Sequence, residues 1–187
     1  MVKKIKTCIF ISGKGTKLAS ILKSSRDYNF PIQIALIISN HINAKGLGFA
    51  KKYSIPYKFF SSNNMEKFER NCLFELKKRK IKFLCLAGFM KVISNHFINS
   101  FGYKIINIHP SLLPKYKGLN THKRVLKNNE KYSGCSVHYV SPKLDSGKII
   151  LQKKVLIDKN ETEISLKKKI LLQEHKLYSQ SIISLFK

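Results

Sequence analysis

The sequence predicts an α/β protein with a mostly parallel central sheet and an antiparallel addition in its C-terminal half. Three observations predict it. From residue 5 to residue 80, apolar runs and amphipathic stretches follow one another in the order β-α-β-α-β-α, which asks for a parallel sheet with right-handed crossovers. The first of those runs ends almost continuously apolar, as a strand covered on both faces does. Beyond residue 136, two strand-like segments are joined by the turn Ser141-Pro-Lys-Leu-Asp145-Ser-Gly147, the pattern of an antiparallel pair.

Residues 5–11 (Ile-Lys-Thr-Cys-Ile-Phe-Ile) form the first strand. Ser12, Gly13, Lys14, Gly15 and Thr16 then turn into a helix carrying Leu18, Ile21 and Leu22. A glycine-rich turn of this kind exposes backbone N–H groups at the positive end of a helix, a ready phosphate site. Tight strand-to-helix turns need glycine in any case, and this one is neither a Walker loop nor a complete Gly-x-Gly-x-x-Gly. Residues 32–39 form a second strand and Asn43–Tyr53 opens a short helix. Residues 55–59 form an edge strand, because it contains Pro56. Between Asn64 and Lys80, apolar Met65, Phe68, Cys72, Leu73 and Leu76 recur at helical spacing. Residues 81–87 form the next strand, which delivers Gly88, Phe89, Met90, Lys91, Val92 and Ile93.

The segment 107–122 is the centre of the chain. It follows the apolar Ile105, Ile106 and Ile108 and then breaks into prolines, a glycine and polar residues. Asn107 and His109 are two apart, so on an extended backbone they leave the same face. Pro110 ends the strand and sets His109 at its carboxyl edge, where ligands sit in open α/β sheets. An amide donor beside an imidazole suits oxygen-charge stabilisation and proton movement in acyl transfer. Taken alone, Asn-x-His is an ordinary polar strand end; the neighbouring residues give it meaning.

Residues 120–129 form a short helix, 136–140 a strand and 148–157 its antiparallel partner. Asp-Ser-Gly at 145–147 is good turn chemistry in any hairpin. His138 is read as structural. The last helix opens with Asn160-Glu161-Thr162-Glu163, a capping pattern with acid in its first turn. Leu171, Glu174 and Tyr178 then share one stripe, and a carboxylate beside such a stripe asks for a partner.

Composition bounds the rest. The formal charge of +26 raises nucleic-acid binding first. Of the 36 basic residues, however, 32 are lysines, scattered through every segment. Arginine is the better reader of base edges and phosphates. With lysine, isoleucine and asparagine abundant and tryptophan absent, the charge reads as the product of an A+T-rich coding sequence. Its expected consequences are weak polyanion binding and attraction of anionic substrates, with no specific nucleic-acid partner. No apolar run spans a bilayer, and the basic start from Met1 to Lys6 meets a turn rather than a cleavage pattern, so a soluble cytoplasmic protein without membrane partners is expected. Cys8, Cys72, Cys85 and Cys135 lack zinc-site spacing and are expected as buried free thiols.

The run His109-Pro110-Ser111-Leu112-Leu113-Pro114, with Asn107 before it and Gly118 after it, resembles the signature of the formyltetrahydrofolate-dependent formyltransferases. Its continuation to His122 is most similar to the branch that formylates glycinamide ribonucleotide in purine synthesis. The resemblance runs from Ser12 to Gln173-Glu174-His175 and implies one Rossmann-like, three-layer formyltransferase domain over residues 1–187. It implies transfer of a formyl group from 10-formyltetrahydrofolate, as co-substrate, to the amine of glycinamide ribonucleotide, without a metal, by a monomer or homodimer. Asn107, His109 and Asp145 would be catalytic, with Asp145 raising the pKa of His109. Ser12, Gly13, Lys14, Gly15, Thr16, Lys17 and Glu174 would hold the nucleotide's phosphate and ribose. Gly88, Phe89, Met90, Lys91, Val92, Ile93 and Leu144 would line the folate pocket.

The chain departs from the family in places. Lys14 and Lys17 replace the usual asparagines, Lys91 an arginine and Leu171 a glutamine, and the basic residue ahead of the 64–80 helix has no counterpart. Relatives acting on initiator methionyl-tRNA usually lack the proline seen at Pro110 and carry a further C-terminal domain, and formyltetrahydrofolate hydrolases carry an N-terminal one. Neither extension is expected here. The reading from another class is a basic nucleic-acid-binding protein with a degenerate site.

Overall fold

The elements follow the chain as β1 (Ile5–Ile11), α1 (Thr16–Ser24), β2 (Ile32–Ser39), α2 (Leu47–Lys52), β3 (Tyr57–Phe59), α3 (Met65–Lys78), β4 (Phe83–Leu86), α4 (Asn95–Phe101), β5 (Lys104–His109), α5 (Thr121–Lys127), β6 (Tyr132–Tyr139), β7 (Ile149–Leu156) and α6 (Glu163–Leu185). This computed structural model describes residues 4–186. Met1–Lys3, part of the basic start that is expected not to be a leader, lie outside the described residues.

The seven strands form one sheet in the order β3-β2-β1-β4-β5-β6-β7. The first five run parallel, and β6 and β7 are antiparallel, as the sequence predicts. Strand alternation splits the apolar residues between two cores. Cys8 and Phe10 of β1 face the α3–α4 layer with Leu36, Ile38, Leu84, Phe68, Cys72 and Phe97. Ile9 and Ile11 face the α1–α6 layer with Ile37, Cys85, Ile106, Leu18, Ile170 and Tyr178. All four cysteines are free and buried. Strand β3 lies at an edge, and Pro56 immediately precedes it rather than lying within it. No helix among the described residues is long and apolar enough to cross a membrane.

Two features of the core hold the functional loops in place. The strand order reverses between β1 and β4, so the loops leaving their carboxyl ends splay apart and open a crevice. Phe89, just past β4, packs edge-on against Phe10 with centroids 5.4 Å apart, which anchors the loop after β4 in the core. On the other face, the Tyr178 hydroxyl reaches the carbonyls of Leu86 (2.9 Å) and Ile106 (3.2 Å), tying α6 to the ends of β4 and β5.

Two differences from the sequence reading have plain causes. Helix α4 is absent from that reading because seven residues are too few to show a period. Caps define it instead: the Ser94 hydroxyl accepts from the Phe97 N–H, Glu69 accepts from the Ser94 N–H at 2.7 Å, and Gly102 closes the helix at φ 67°. Strand β6 starts at Tyr132 rather than Ser136, because Ser133-Gly134 looks like punctuation yet pairs with Val155 and Lys154 on β7.

Candidate active site

Four loops at the carboxyl side of the parallel strands meet. Met90 N–H donates to the Ser12 hydroxyl at 2.8 Å and Ser12 N–H to the Gly88 carbonyl at 3.1 Å, fastening the loop after β1 to the loop after β4. Gly15 stands at φ +74°, and a Cβ there would lie 2.5 Å from the Gly46 Cα, so only glycine allows this approach. No side chain caps the N-terminus of α1, which leaves its first N–H groups for a ligand. Beside it lies a cavity of about 280 Å³, lined by Ser12, Gly13, Lys14, Gly15, Thr16 and Lys17 together with His41.

A second cavity of about 540 Å³ adjoins it and shares Lys17, Gly88 and Met90. That volume is of the size that encloses a ligand. Phe89, Val92, Ile93, Leu119 and Leu144 supply an apolar wall, and Lys91 stands at the same wall. A flat heterocycle such as a pterin needs an apolar slot of this kind. Asn107, His109, His138 and Asp145 supply polar groups to the same cavity.

Sheet register places these polar groups. Asn107 on β5 lies opposite His138 on β6. The His138 Nδ1–H donates to the Tyr139 carbonyl at 2.8 Å, so in the neutral ring Nε2 accepts from the Asn107 amide, 3.3 Å away. The amide nitrogen carries a second hydrogen, which remains for a ligand. His109 donates from Nε2 to the Tyr116 carbonyl at 2.9 Å, and its Nδ1 lies 3.3 Å from Asp145 Oδ2. The same carboxylate oxygen accepts from the Gly118 N–H at 2.9 Å, while Oδ1 lies 3.6 Å from His138 Nε2. Asp145 is therefore a turn residue that also lines the larger cavity. Its backbone is left-handed at φ 45°, which aspartate tolerates better than most residues. Two residues on, a Cβ at Gly147 would lie 1.8 Å from the Tyr139 carbonyl oxygen, so the turn holds one path.

The loop carrying Tyr116 and Gly118 is fixed from below. Leu113–Pro114 is a cis peptide. Leu113 N–H donates to the Ser136 hydroxyl at 3.1 Å, and Gln152 donates to the Leu113 carbonyl at 2.8 Å.

Electrostatics correct one expectation. Burial pushes the His109 imidazole below its ordinary value, and the Tyr116 carbonyl and Asp145 pull the other way without offsetting it. The expected rise caused by Asp145 is present but smaller than the cost of desolvation. Burial also opposes the Asp145 charge, yet His138, the Gly118 N–H and His109 together hold its carboxyl below the usual range. At neutral pH the pair is thus a neutral ring against a carboxylate. Followed by NMR, the His109 ring should take its proton below about pH 6.5. Because its folded value lies below its unfolded one, its contribution to stability is present above that pH and is lost as pH falls through the window. Asp145→Asn removes the anion that favours the imidazolium, so the midpoint should move lower still. A midpoint that rises on this substitution contradicts the assignment.

The residues predicted for the three catalytic roles and for the folate pocket all line the larger cavity, and those predicted around the phosphate line the smaller. Glu174 lines neither. Buried on α6, it is met by the Lys17 ammonium at 2.9 Å. Several contributors escape a reading of the sequence, among them His41 at the smaller cavity. His138 reads there as structural, because the β5–β6 pairing that sets it opposite Asn107 joins strands with α5 between them, and no local pattern shows that register. Glu163 and Lys167, from the first turns of α6, also line the cavity, and nothing in a charged helix start distinguishes them.

Fold and site together define a class: an α/β group-transfer protein with a phosphate-type turn at the point where strand order reverses and an amide, an imidazole and a carboxylate brought together from β5 and the β6–β7 turn. Residues 5–182 match the family described as formyl transferase. The chain belongs to the formyl transferase family. It is 37% identical over 177 residues to a phosphoribosylglycinamide formyltransferase of Haemophilus influenzae, covering 92% of this chain and 83% of that one. It is 35% identical over 183 residues to the human trifunctional purine biosynthetic protein adenosine-3, covering 96% of this chain but only 18% of that much longer protein. A solved glycinamide ribonucleotide transformylase 1 from Geobacillus kaustophilus superposes with a TM-score of 0.94 at 31% identity, over 99% of this chain and 100% of that one.

Proposed function

We propose that this chain, as a single formyltransferase domain, transfers the formyl group of 10-formyltetrahydrofolate to the primary amine of glycinamide ribonucleotide, a step of purine synthesis. One observation carries the reading. Asn107 and His109 from β5 and Asp145 from the β6–β7 turn converge on one cavity that apolar side chains also line. The relatives' names supply the acceptor, and the adjoining cavity under α1 suits the acceptor's phosphate.

The co-substrate supplies an activated formyl group. Asn107 donates its amide N–H to the oxygen on which charge develops as the amine attacks. His109 Nδ1 and Asp145 take between them the proton that the amine must lose, and the carboxylate at 3.3 Å stabilises the imidazolium. As the tetrahedral centre collapses, the bond from the formyl carbon to the folate nitrogen breaks, and the imidazolium returns the proton to that nitrogen, so tetrahydrofolate leaves neutral. Ser12 to Lys17 hold the acceptor's phosphate and Glu174 stands on the ribose side. Gly88 to Ile93 and Leu144 form the folate side. The protein acts in the cytoplasm as a monomer or homodimer, without a specific nucleic-acid partner.

A spectroscopic formyl-transfer assay with two acceptors tests this. Turnover is expected with glycinamide ribonucleotide and none with charged initiator tRNA. The reverse preference would assign the site to the other branch of the family.

A further inference from the structure

Three residues line both cavities, and of these only Lys17 is charged. It rises from the first turn of α1, its side chain is 15% exposed, and its ammonium lies 2.9 Å from Glu174 Oε1. Glu174 comes from the far end of the chain on α6 and is 3% exposed. Lys17 is the cation that meets this buried carboxylate. Burial pushes the Glu174 carboxyl up and Lys17 pulls it back. A buried carboxylate with a single cation beside it depends on that cation. The cation, however, also borders the cradle of N–H groups under α1, where an anion would claim it. A lysine carries its charge on a flexible four-carbon stem and can serve either partner.

We infer that Lys17 is a movable counter-ion: it neutralises Glu174 in the free protein and turns to a phosphomonoester seated at the Ser12–Thr16 turn. Resting on the reading of that turn as the acceptor's phosphate site, this adds a competition. Glu174 and the bound phosphate draw on one ammonium, so the internal carboxylate weakens the grip on a bare anion. A sugar phosphate relieves the competition, because a sugar hydroxyl can donate to the carboxylate that the lysine leaves. The site is thereby selective for a phosphate and a hydroxyl on one molecule.

The sign of two substitutions separates this from a merely structural ion pair. With inorganic phosphate as the probe in calorimetry, Lys17→Met should weaken binding by about tenfold, as expected when one charge-assisted hydrogen bond is removed. Glu174→Gln releases the lysine and should tighten phosphate binding by about threefold or more. With ribose 5-phosphate as the probe, the advantage over inorganic phosphate should shrink in Glu174→Gln. The double variant Lys17→Met/Glu174→Gln buries no charge and serves where Lys17→Met alone fails to fold; it should bind phosphate as weakly as Lys17→Met.

Phosphate affinity that is unchanged or weaker in a folded Glu174→Gln protein overturns the inference, as does wild-type affinity in either variant lacking Lys17. Lowered melting temperatures in both single variants with unaltered phosphate affinity would show a structural pair only, and overturn it too. These readings need no turnover. A wild-type protein that binds phosphate in this pattern but transfers no formyl group would therefore refute the proposed reaction and leave the counter-ion in place.

Discussion

Asn107→Ala should lower kcat by about 10²–10³, the usual loss when one donor to a developing oxyanion is removed. The stability cost should be small. Asn107 is half-buried at the end of β5, and the substitution removes a single 3.3 Å hydrogen bond to His138, worth about 1 kcal/mol net. The effect is therefore expected in turnover and not in folding. In the proposed reaction the donor acts on charge that appears only as the amine attacks, so kcat should carry most of the loss and KM little of it. Steady-state kinetics beside a thermal melt read both quantities. Wild-type-like turnover in a folded Asn107→Ala protein would remove the amide from the chemistry.

Asp145→Ala should cost as much in turnover and more in stability. The carboxylate touches His109 at 3.3 Å and the Gly118 N–H at 2.9 Å, so its loss unties two elements of the site. Alanine must also occupy the left-handed backbone at φ 45°, a strain of about 1–2 kcal/mol that aspartate bears more easily. Asp145→Asn separates these contributions. It keeps an acceptor for the Gly118 N–H and a residue tolerant of that backbone, and it loses only the charge. It should melt close to the wild type and still lose about 10² or more in kcat, since the proton arriving at His109 then has no anion beside it. His109→Ala should fall in the same range. Combining it with Asp145→Ala should cost little beyond the worse single change, because the two act as one unit. Fully multiplicative losses would mean that the ring and the carboxylate work independently.

How much of the fold and site is legible in the sequence depends on distance along the chain. Asn107, His109 and Pro110 lie within four residues, and strand alternation alone puts both side chains at one carboxyl edge. The parallel order of β1 to β5 follows from the spacing of apolar runs. Asp145 is different: Asp-Ser-Gly reads equally well as a plain turn, and only the resemblance points from there to the site. The His109 electrostatics need the structure, because sequence shows the neighbouring carboxylate but not the depth at which the pair is buried. Lys17 and Glu174 lie almost the whole chain apart, and no local pattern links them. Their meeting depends on α6 crossing the α1 face of the sheet, which Tyr178 fixes by reaching back to Leu86 and Ile106. Helix α4 escapes for the opposite reason, being so short that caps rather than periodicity define it.

The most direct test of the chemistry is to follow a carbon-13 formyl label from 10-formyltetrahydrofolate in the presence of glycinamide ribonucleotide and the wild-type protein. The label is expected as a formamide on the acceptor's amine, at a rate that drops steeply in the Asn107, His109 and Asp145 variants alike. A folded wild-type protein that leaves the label on the folate, or variants of all three residues that move it as fast as the wild type, would contradict the assignment of this site as the place of transfer.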